Sequence, residues 1–523
     1  MGLLWADSLA LDYGEKDIYM TNLASESYDN LVYPSKPFPY TSINMLAAQA
    51  RIWGLEPVPI RGAKVLELGS SFGGNIISQA LYFPESQFVG IDLSETQIKE
   101  GQKIIATMGL TNIRLEEANI MDIDKSFGSF DYIIVHGIWS WVPDVVKEKI
   151  LTICSQNLTE QGIAYVSYNT YPGWKRLDQI RDMMLFASEG QENLLKATQE
   201  GKAFIKGVAE AIQVDKDASH KRSSLLQDID IILQKSDYYV AHEHLATFND
   251  PVYVSDFISR AEAAGCAYIG DSNFQLSFTS WLDQEIKNLI ESWDDQDQAR
   301  REQIIDYMKN TQFRRALLTS RANGKHVRRD EQTTREILRD LCYMKTDQDK
   351  LFLSEQDPLL ATIEEVAEGN GYFTLDDISN SMTRNYPSEA FNEERADKIL
   401  FHLLVINRLY VYMEDCQSQP FRDNETIVPK RYIDYVETLL GGAHQYIWGS
   451  NQDNNINNLY NEDILFIMKA CAQPLTRESL VQSFKSYKKK QGLETDNQSY
   501  YTYIDKILTI LGQWGYLAPV NKV

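Results

Sequence analysis

The sequence predicts an α/β protein with a parallel sheet, helices on both faces, a helical insertion, and a mainly helical C-terminal region. Three observations carry that reading. Across residues 64–168 short apolar runs alternate with amphipathic stretches, as they do when strands feed crossover helices. After Trp174 the strand-like runs stop and helical periodicity continues to about Tyr239. Residues 351–523 contain a weak internal repeat of helix-forming and strand-forming segments.

In chain order, residues 1–60 read as an N-terminal arm, polar and proline-punctuated, leading into an apolar helix around "INMLAAQARIWGL". Strands are expected at 64–68, 87–91, 112–116, 130–135 and 162–168, with helices at 75–82, 95–108 and 143–157; residues 61–174 thus form the core. Residues 175–250, with "LDQIRDMMLFA" and "SSLLQDIDIILQ", read as a helical insertion over the sheet's carboxyl edge, where open α/β sheets bind ligands. Residues 251–275, ending in "CAYIGD", are assigned the last strands of the sheet. Residues 276–350, with "FRRALLTSR" and "HVRRDEQTTREILRD", read as an arginine-rich helical connector. In residues 351–523, "FTLDDI" followed by "ILFHLLVINRLYVY" resembles "LTRESL" followed by "ILTILGQWGYLAP". Each unit reads as two helices and a short β-hairpin, giving two winged-helix-like modules.

With 523 residues, 43% hydrophobic and 24% charged, the chain can bury several cores as a soluble globular protein. No apolar run approaches the roughly 20 residues that span a bilayer, and the first residues lack a signal-peptide pattern, so no membrane insertion and a cytoplasmic location are expected. The five cysteines are odd in number and never spaced C-x-x-C, which argues against a disulfide framework or a zinc site; no metal is expected. A net charge of −23, from 51 basic and 74 acidic residues, repels a phosphate backbone and favours a basic partner. The only compact basic run is "KSYKKK", so the winged-helix shape does not imply nucleic-acid binding here.

The chemistry concentrates in "KVLELGSSFGGNIISQA", residues 64–80. A dinucleotide fingerprint needs G-x-G-x-x-G, and here the middle glycine is missing from the run Gly69, Ser70, Ser71, Phe72, Gly73, Gly74. Glu67 also sits two residues before Gly69, where its charge would repel a pyrophosphate. A cationic ligand suits that carboxylate better: S-adenosylmethionine carries an ammonium, a sulfonium and no phosphate. Asp92 follows the second strand, 23 residues after Gly69, and can accept both hydrogens of a ribose diol. Leu93 would lie against the adenine, and Ser70 and Gln97 border the same turn and strand end. In "EEANIMD", Asn119 can accept from the adenine amino group while the Ile120 N–H meets a ring nitrogen. His136 and Gly137, in "HGIWSWVPD", fall at the end of the fourth strand beside the expected methyl donor.

These residues resemble a class I S-adenosylmethionine-dependent methyltransferase with its Rossmann-like sheet: E-x-G-x-G-x-G maps onto Glu67, Gly69, Ser71 and Gly73, with serine at the middle glycine. The segments "YPSKPFPYT", "GSSFGGN", "FVGIDLSETQI", "HGIWSWVPD", "YNTYPGW" and "YVAHEHL", the last opening into "FNDPVYVSDFISRAEAAGCAYIGD", are similar to bacterial methyltransferases carrying a methyltransferase regulatory domain. Among these are the rickettsial protein-lysine methyltransferases. The resemblance implies a helical middle region that screens the site, assigned to 175–250 as a regulatory or lid region. It also implies a C-terminal region for substrate binding or dimerisation, leaving a homodimer open.

Because a lysine amine of pKa about 10.4 must lose a proton before it attacks, aromatic walls and hydrogen-bond acceptors are expected around it. Tyr168, Tyr171 and Trp174 are the candidates for that channel, with His136 as the candidate proton acceptor. The first reading is N-methylation of lysines on a protein substrate. The alternatives are a small-molecule methyltransferase with a helical lid, and a cofactor-binding sensor without catalysis.

Overall fold

The computed structural model describes residues 35–214, 220–246, 248–294, 296–329, 335–346, 356–368, 371–414, 419–456, 459–493 and 496–520. Most of the expected N-terminal arm therefore lies outside the described residues; its end, 35–42, leads into α1 (Ile43–Ile52). The alternation then unfolds as read: β1 (Lys64–Leu68), α2 (Gly74–Tyr82), β2 (Gln87–Asp92), α3 (Glu95–Met108), β3 (Ile113–Glu117), β4 (Phe130–Val135), α4 (Asp144–Gln156) and β5 (Leu158–Asn169). Local signals set these limits. Ser94 caps α3 by accepting from the Gln97 N–H, and Gly109 ends it at φ 65°.

The described insertion helices follow: α5 (Lys175–Ala187), α6 (Leu194–Val214), α7 (Ser223–Gln234) and α8 (Asp237–His244). They close around their own core of Ile180, Met184, Ile205, Ile229, Ile232 and Val240. The insertion is rooted at the carboxyl edge, where the Asp250 N–H donates to Ser140 O and the Val252 N–H to Asn169 O.

Next come α9 (Val254–Ala264), β6 (Cys266–Asp271), α10 (Gln284–Glu291), α11 (Gln298–Lys309) and β7 (Phe313–Ser320). Here the structure corrects the sequence reading. "FRRALLTS" is not helical: it is the last strand, inserted antiparallel between β5 and β6, and the sheet ends at residue 320 rather than 275. The run has no 3.6-residue stripe; Ala316, Leu317 and Leu318 are all fully buried because a strand inside a sheet is covered on both faces. The sheet order is β3-β2-β1-β4-β5-β7-β6, parallel except for β7.

After α12 (Arg321–Gly324) and α13 (Arg335–Arg339), the supposed connector ends in a strand, β8 (Cys342–Lys345). The first C-terminal module runs through α14 (Pro358–Glu368), α15 (Leu375–Asn385), α16 (Glu393–Val405) and β9 (Leu409–Tyr412). The second contains β10 (Thr426–Ile427), α17 (Lys430–Leu440), α18 (Glu462–Ala470), α19 (Arg477–Lys490), α20 (Asn497–Gln513) and β11 (Ala518–Pro519). The repeat is visible in detail: Thr374 and Thr476 cap equivalent helices, and Asn407 and Gly515 turn equivalent corners at φ 55° and 72°. Among the described residues the expected hairpins do not form in these units. β9 and β11 instead pair antiparallel with β8 and β10, strands that precede each module's helices.

The C-terminal region shares a core with the sheet domain. Tyr432 and Tyr516 stack at 4.6 Å between ring centroids, and the Tyr82 hydroxyl of α2 lies 3.0 Å from that of Tyr516.

Candidate active site

Strand order reverses at β1, which lies between β2 and β4, so a crevice opens beyond its carboxyl end. The turn there is tied to β2: the Gly69 and Ser70 N–H groups both donate to Ile91 O at 2.9 Å. Gly69, Ser71 and Gly73 all have positive φ, at 74°, 52° and 80°. The serine therefore takes the conformation a glycine would supply, at a cost of roughly 1–2 kcal/mol. Gly69 suits its place because its φ strains any side chain, and a Cβ there, 2.3 Å from Ile138 Cδ1, would also have to push that side chain aside.

Glu67 is 4% exposed. Its Oε1 accepts from Asn75 Nδ2 at 2.7 Å, while its buried Oε2 has no hydrogen-bond partner. Burial pushes its carboxyl up to about 8, against the Asn75 hydrogen bond and with help from the charge of Asp92. A buried carboxyl oxygen with no donor fits an arriving ammonium and not a phosphate.

Asp92 is fixed by two backbone donors, the Ser71 N–H to Oδ2 at 2.8 Å and the Ser94 N–H to Oδ1 at 3.0 Å. A carboxylate set at this strand end can accept from the two hydroxyls of a diol. Leu93 beside it is 39% exposed. Asn119 Oδ1 accepts from the Met121 N–H at 2.9 Å, presenting Asn119 and Ile120 at the start of a 3-10 turn after β3. Two further residues of the expected set are buried beside the turn. The Ser70 side chain is buried, its Oγ facing the position a Cβ of Gly90 would take, and buried Gln97 donates its N–H to Ser94 Oγ to start α3.

On the acceptor side the structure makes larger corrections. Register places Glu67, Ile134 and Tyr165 in one row across β1, β4 and β5, so Tyr165, Ser167 and His136 share the Glu67 face. Tyr168 has the opposite parity. It is 1% exposed and stacks on Phe257 at 4.2 Å in the core of the other face, away from the crevice. Tyr171 and Trp174 belong to the root of the insertion. The Tyr171 hydroxyl donates to Asp178 Oδ2 at 3.1 Å, and the buried Trp174 ring faces that of His244. Among the described residues neither touches His136 or the glycine turn.

His136 Nδ1 lies 3.1 Å from the Tyr165 hydroxyl and 3.3 Å from Ser167 Oγ. The Gly137 N–H donates to Ser167 Oγ at 2.9 Å, and the imidazole tautomer decides whether Nδ1 donates to or accepts from the two hydroxyls that face it. Burial, and then the Arg315 cation, push the imidazole down to about 3. This favours the neutral imidazole and weakens His136 as the proton acceptor it was expected to be.

Around it stand residues that motif reading missed: Phe38 at 3.8 Å between ring centroids, Phe313 at 6.3 Å, and Arg315, whose guanidinium lies 3.6 Å from the Tyr40 ring centroid. Tyr165 and Ser167 could have been found by carrying the Glu67 parity across the sheet. Phe313 and Arg315 were hidden by the helical reading of β7.

A family model described as "Methyltransferase domain" matches residues 60–239, one described as "Predicted methyltransferase regulatory domain" matches 236–320, and a "Winged helix domain" matches 418–510. The regulatory match thus takes in only the end of the helical insertion, from α8 onward, and lies mainly in the segment contributing β6 and β7. Uncharacterized protein RP028 of Rickettsia prowazekii is 37% identical over 236 residues, covering 45% of this chain and 94% of that protein. Uncharacterized protein RP789 of the same organism is 35% identical over 291 residues, covering 56% of this chain and about half (52%) of that one. PKMT2 from Rickettsia typhi, solved also in complex with AdoHcy, superposes with a TM-score of 0.75 at 22% identity, covering 93% of this chain and 100% of that chain. That likeness is one of fold, reaching through the C-terminal modules. With the glycine turn, the 3-2-1-4-5-7-6 sheet and the relatives in agreement, the chain belongs to the class I S-adenosylmethionine-dependent methyltransferases that carry a methyltransferase regulatory domain.

Proposed function

We propose that the protein transfers a methyl group from S-adenosylmethionine to the side-chain amine of lysine in a polypeptide. When bound, the cofactor supplies a methyl group already activated by cationic sulfur, so the chain's own work is to position and to exclude water. Glu67 Oε2 receives the ammonium, Asp92 the ribose hydroxyls, and Asn119 with the Ile120 N–H the adenine edge.

The observation that carries the lysine reading is the aromatic mouth beside Gly137. Phe38, Tyr165 and Phe313 surround His136, Tyr40 lies against the neighbouring Arg315, and Phe313 remains 39% exposed, so the mouth opens outward as a side chain on a polymer requires. An amine entering it loses water and meets the positive Arg315; both effects favour the uncharged, nucleophilic form. Deprotonation then precedes entry and His136 orients the amine. The acidic chain, at −23, also attracts a lysine-bearing partner.

A second reading has one observation in its favour. Arg315 Nε is buried with no hydrogen-bond partner, which suits a small acceptor carrying a carboxylate. Incubation with methyl-labelled cofactor and a cell lysate separates the two. Label on lysine side chains of protein supports the first reading; label only in the low-mass fraction overturns it in favour of the second.

A further inference from the structure

Asn75, the hydrogen-bond partner of Glu67, is itself held by two distant parts of the chain. Its Oδ1 accepts from the Phe38 N–H at 2.9 Å, from Thr41 Oγ1 at 2.9 Å, and from Asn454 Nδ2 at 2.8 Å. The Phe38 backbone N–H can only donate, so it decides which end of the Asn75 amide is oxygen, and the NH2 faces Glu67. Asn454 is clamped in turn: its Oδ1 accepts from Ser78 Oγ at 2.6 Å, and its Nδ2 also reaches Phe38 O at 3.1 Å.

Asn454 comes from the second C-terminal module, in "SNQDNNI", residues 450–456, a run that resembles a solvent loop. Instead it is a buried turn. Asn454 is 1% exposed at φ 60°, a conformation asparagine tolerates better than most residues. Asn451 Oδ1 shapes the turn by accepting from the N–H groups of Asp453 and Asn455, and Ser450 and Ile456 bridge across its ends. The arm is trapped in the same junction. The Ser35 N–H donates to Tyr446 O, the Gly74 N–H donates to Ser35 Oγ at 3.0 Å, and a Cβ on Gly74 would lie 2.4 Å from Ser35 O.

We propose that Asn454 is a positioning residue of the cofactor site: it fixes the Asn75 amide, which holds Glu67 Oε1 and leaves Oε2 for the ammonium at the cofactor's amino-acid end. The second C-terminal module is then a working part of the site. This rests on the cofactor assignment above.

The test uses the full chain and two ligands sharing adenosine: S-adenosylhomocysteine, which bears the ammonium, and 5′-methylthioadenosine, which lacks the amino acid. Asn454→Gly keeps the turn's positive φ accessible, and Asn454→Asp keeps the side chain's shape without its NH2. In both, calorimetry is expected to show roughly tenfold weaker S-adenosylhomocysteine binding, the scale of one buried charge-assisted contact, with methylthioadenosine affinity unchanged. Glu67→Gln should show the same selectivity. Equal losses for both ligands would mark Asn454 as merely structural and overturn the proposal, as would no loss for either. Should both variants fail to melt cooperatively, Ser78→Ala, which removes one bond to Asn454, is expected to shift the same ratio in the same direction; an unshifted ratio counts against the relay. Wild-type protein binding neither ligand would overturn the cofactor assignment itself, whereas normal wild-type discrimination with unaffected Asn454 variants sinks the relay alone.

Discussion

Arg314 and Arg315 are adjacent on β7 and, by strand parity, enter opposite faces of the sheet. Arg314 is wholly buried, pairing with Glu302 and with Asp306 at 2.8 Å, and with Asp271 3.6 Å away. Glu302 is further engaged by the hydroxyls of Tyr268 and Ser277. Burial raises Asp271 to about 6 even beside the arginine. Arg315 faces the mouth, lies over Tyr40 and keeps Nε without a partner. The difference teaches how to separate architecture from site. Around Arg314 the buried charges engage one another, whereas on the crevice face the charged atoms Glu67 Oε2 and Arg315 Nε are buried without a hydrogen-bond partner, an arrangement a ligand can complete.

The largest expected effect breaks the structural face. Arg314→Met strands three buried carboxyls, and removal of one partner from such a cluster costs about 3–5 kcal/mol. Denaturant unfolding should show that loss, whereas Arg315→Met is expected to stay within about 1 kcal/mol of wild type while turnover falls. Equal destabilisation by the two would dissolve the distinction. On the cofactor side, Asp92→Ala removes the diol acceptor and frees the Ser71 and Ser94 amides together, so cofactor affinity should fall by about 100-fold or more.

Glu67 gives a pH signature of intermediate size. Its carboxyl stands at about 8 in the folded chain against an ordinary 4.5, so the neutral form is favoured without a cation. The ligand-free protein should therefore lose stability as pH rises from 4.5 to 8, since the unfolded chain gives up that proton first. Ammonium binding needs the ionised form, so affinity for S-adenosylhomocysteine should rise up to about tenfold per pH unit between 6 and 8, with proton release. Calorimetry in buffers of different ionisation enthalpy measures both, and Glu67→Gln should flatten the profile.

How much of this was legible followed from the range of the signals. The cofactor half is local: β1, the turn and Asp92 lie within 29 residues of one another, and strand, glycine and carboxylate each announce themselves by type and spacing. The acceptor half is assembled from Phe38, Tyr40, Tyr165 and Arg315, and the relay to Glu67 from Asn75 and Asn454, with nothing in sequence to link them. Tyr168 was chosen for its place at a strand end, but strand parity, which depends on register against β4, sends it to the other face. β7 misled for a related reason: a strand covered on both faces lacks alternation, and its two arginines resemble a polar helix face until their separate partners are seen.

Tyr168 tests the comparison most finely, since its hydroxyl, like the Trp139 Nε1, is buried on the structural face without a hydrogen-bond partner. If unengaged atoms mark function only on the crevice face, this one is a packing imperfection. Tyr168→Phe removes an unsatisfied hydroxyl while keeping the ring on Phe257, so stability should be unchanged or higher by up to about 1 kcal/mol and turnover unaffected. Tyr165→Phe, which deletes the hydroxyl facing His136 Nδ1, should lower turnover by roughly tenfold with cofactor affinity preserved. A drop in turnover for Tyr168→Phe matching that of Tyr165→Phe would mean that the polar groups of the two faces act together, and that the sheet does not insulate the buried charges around Arg314 from the chemistry at its edge.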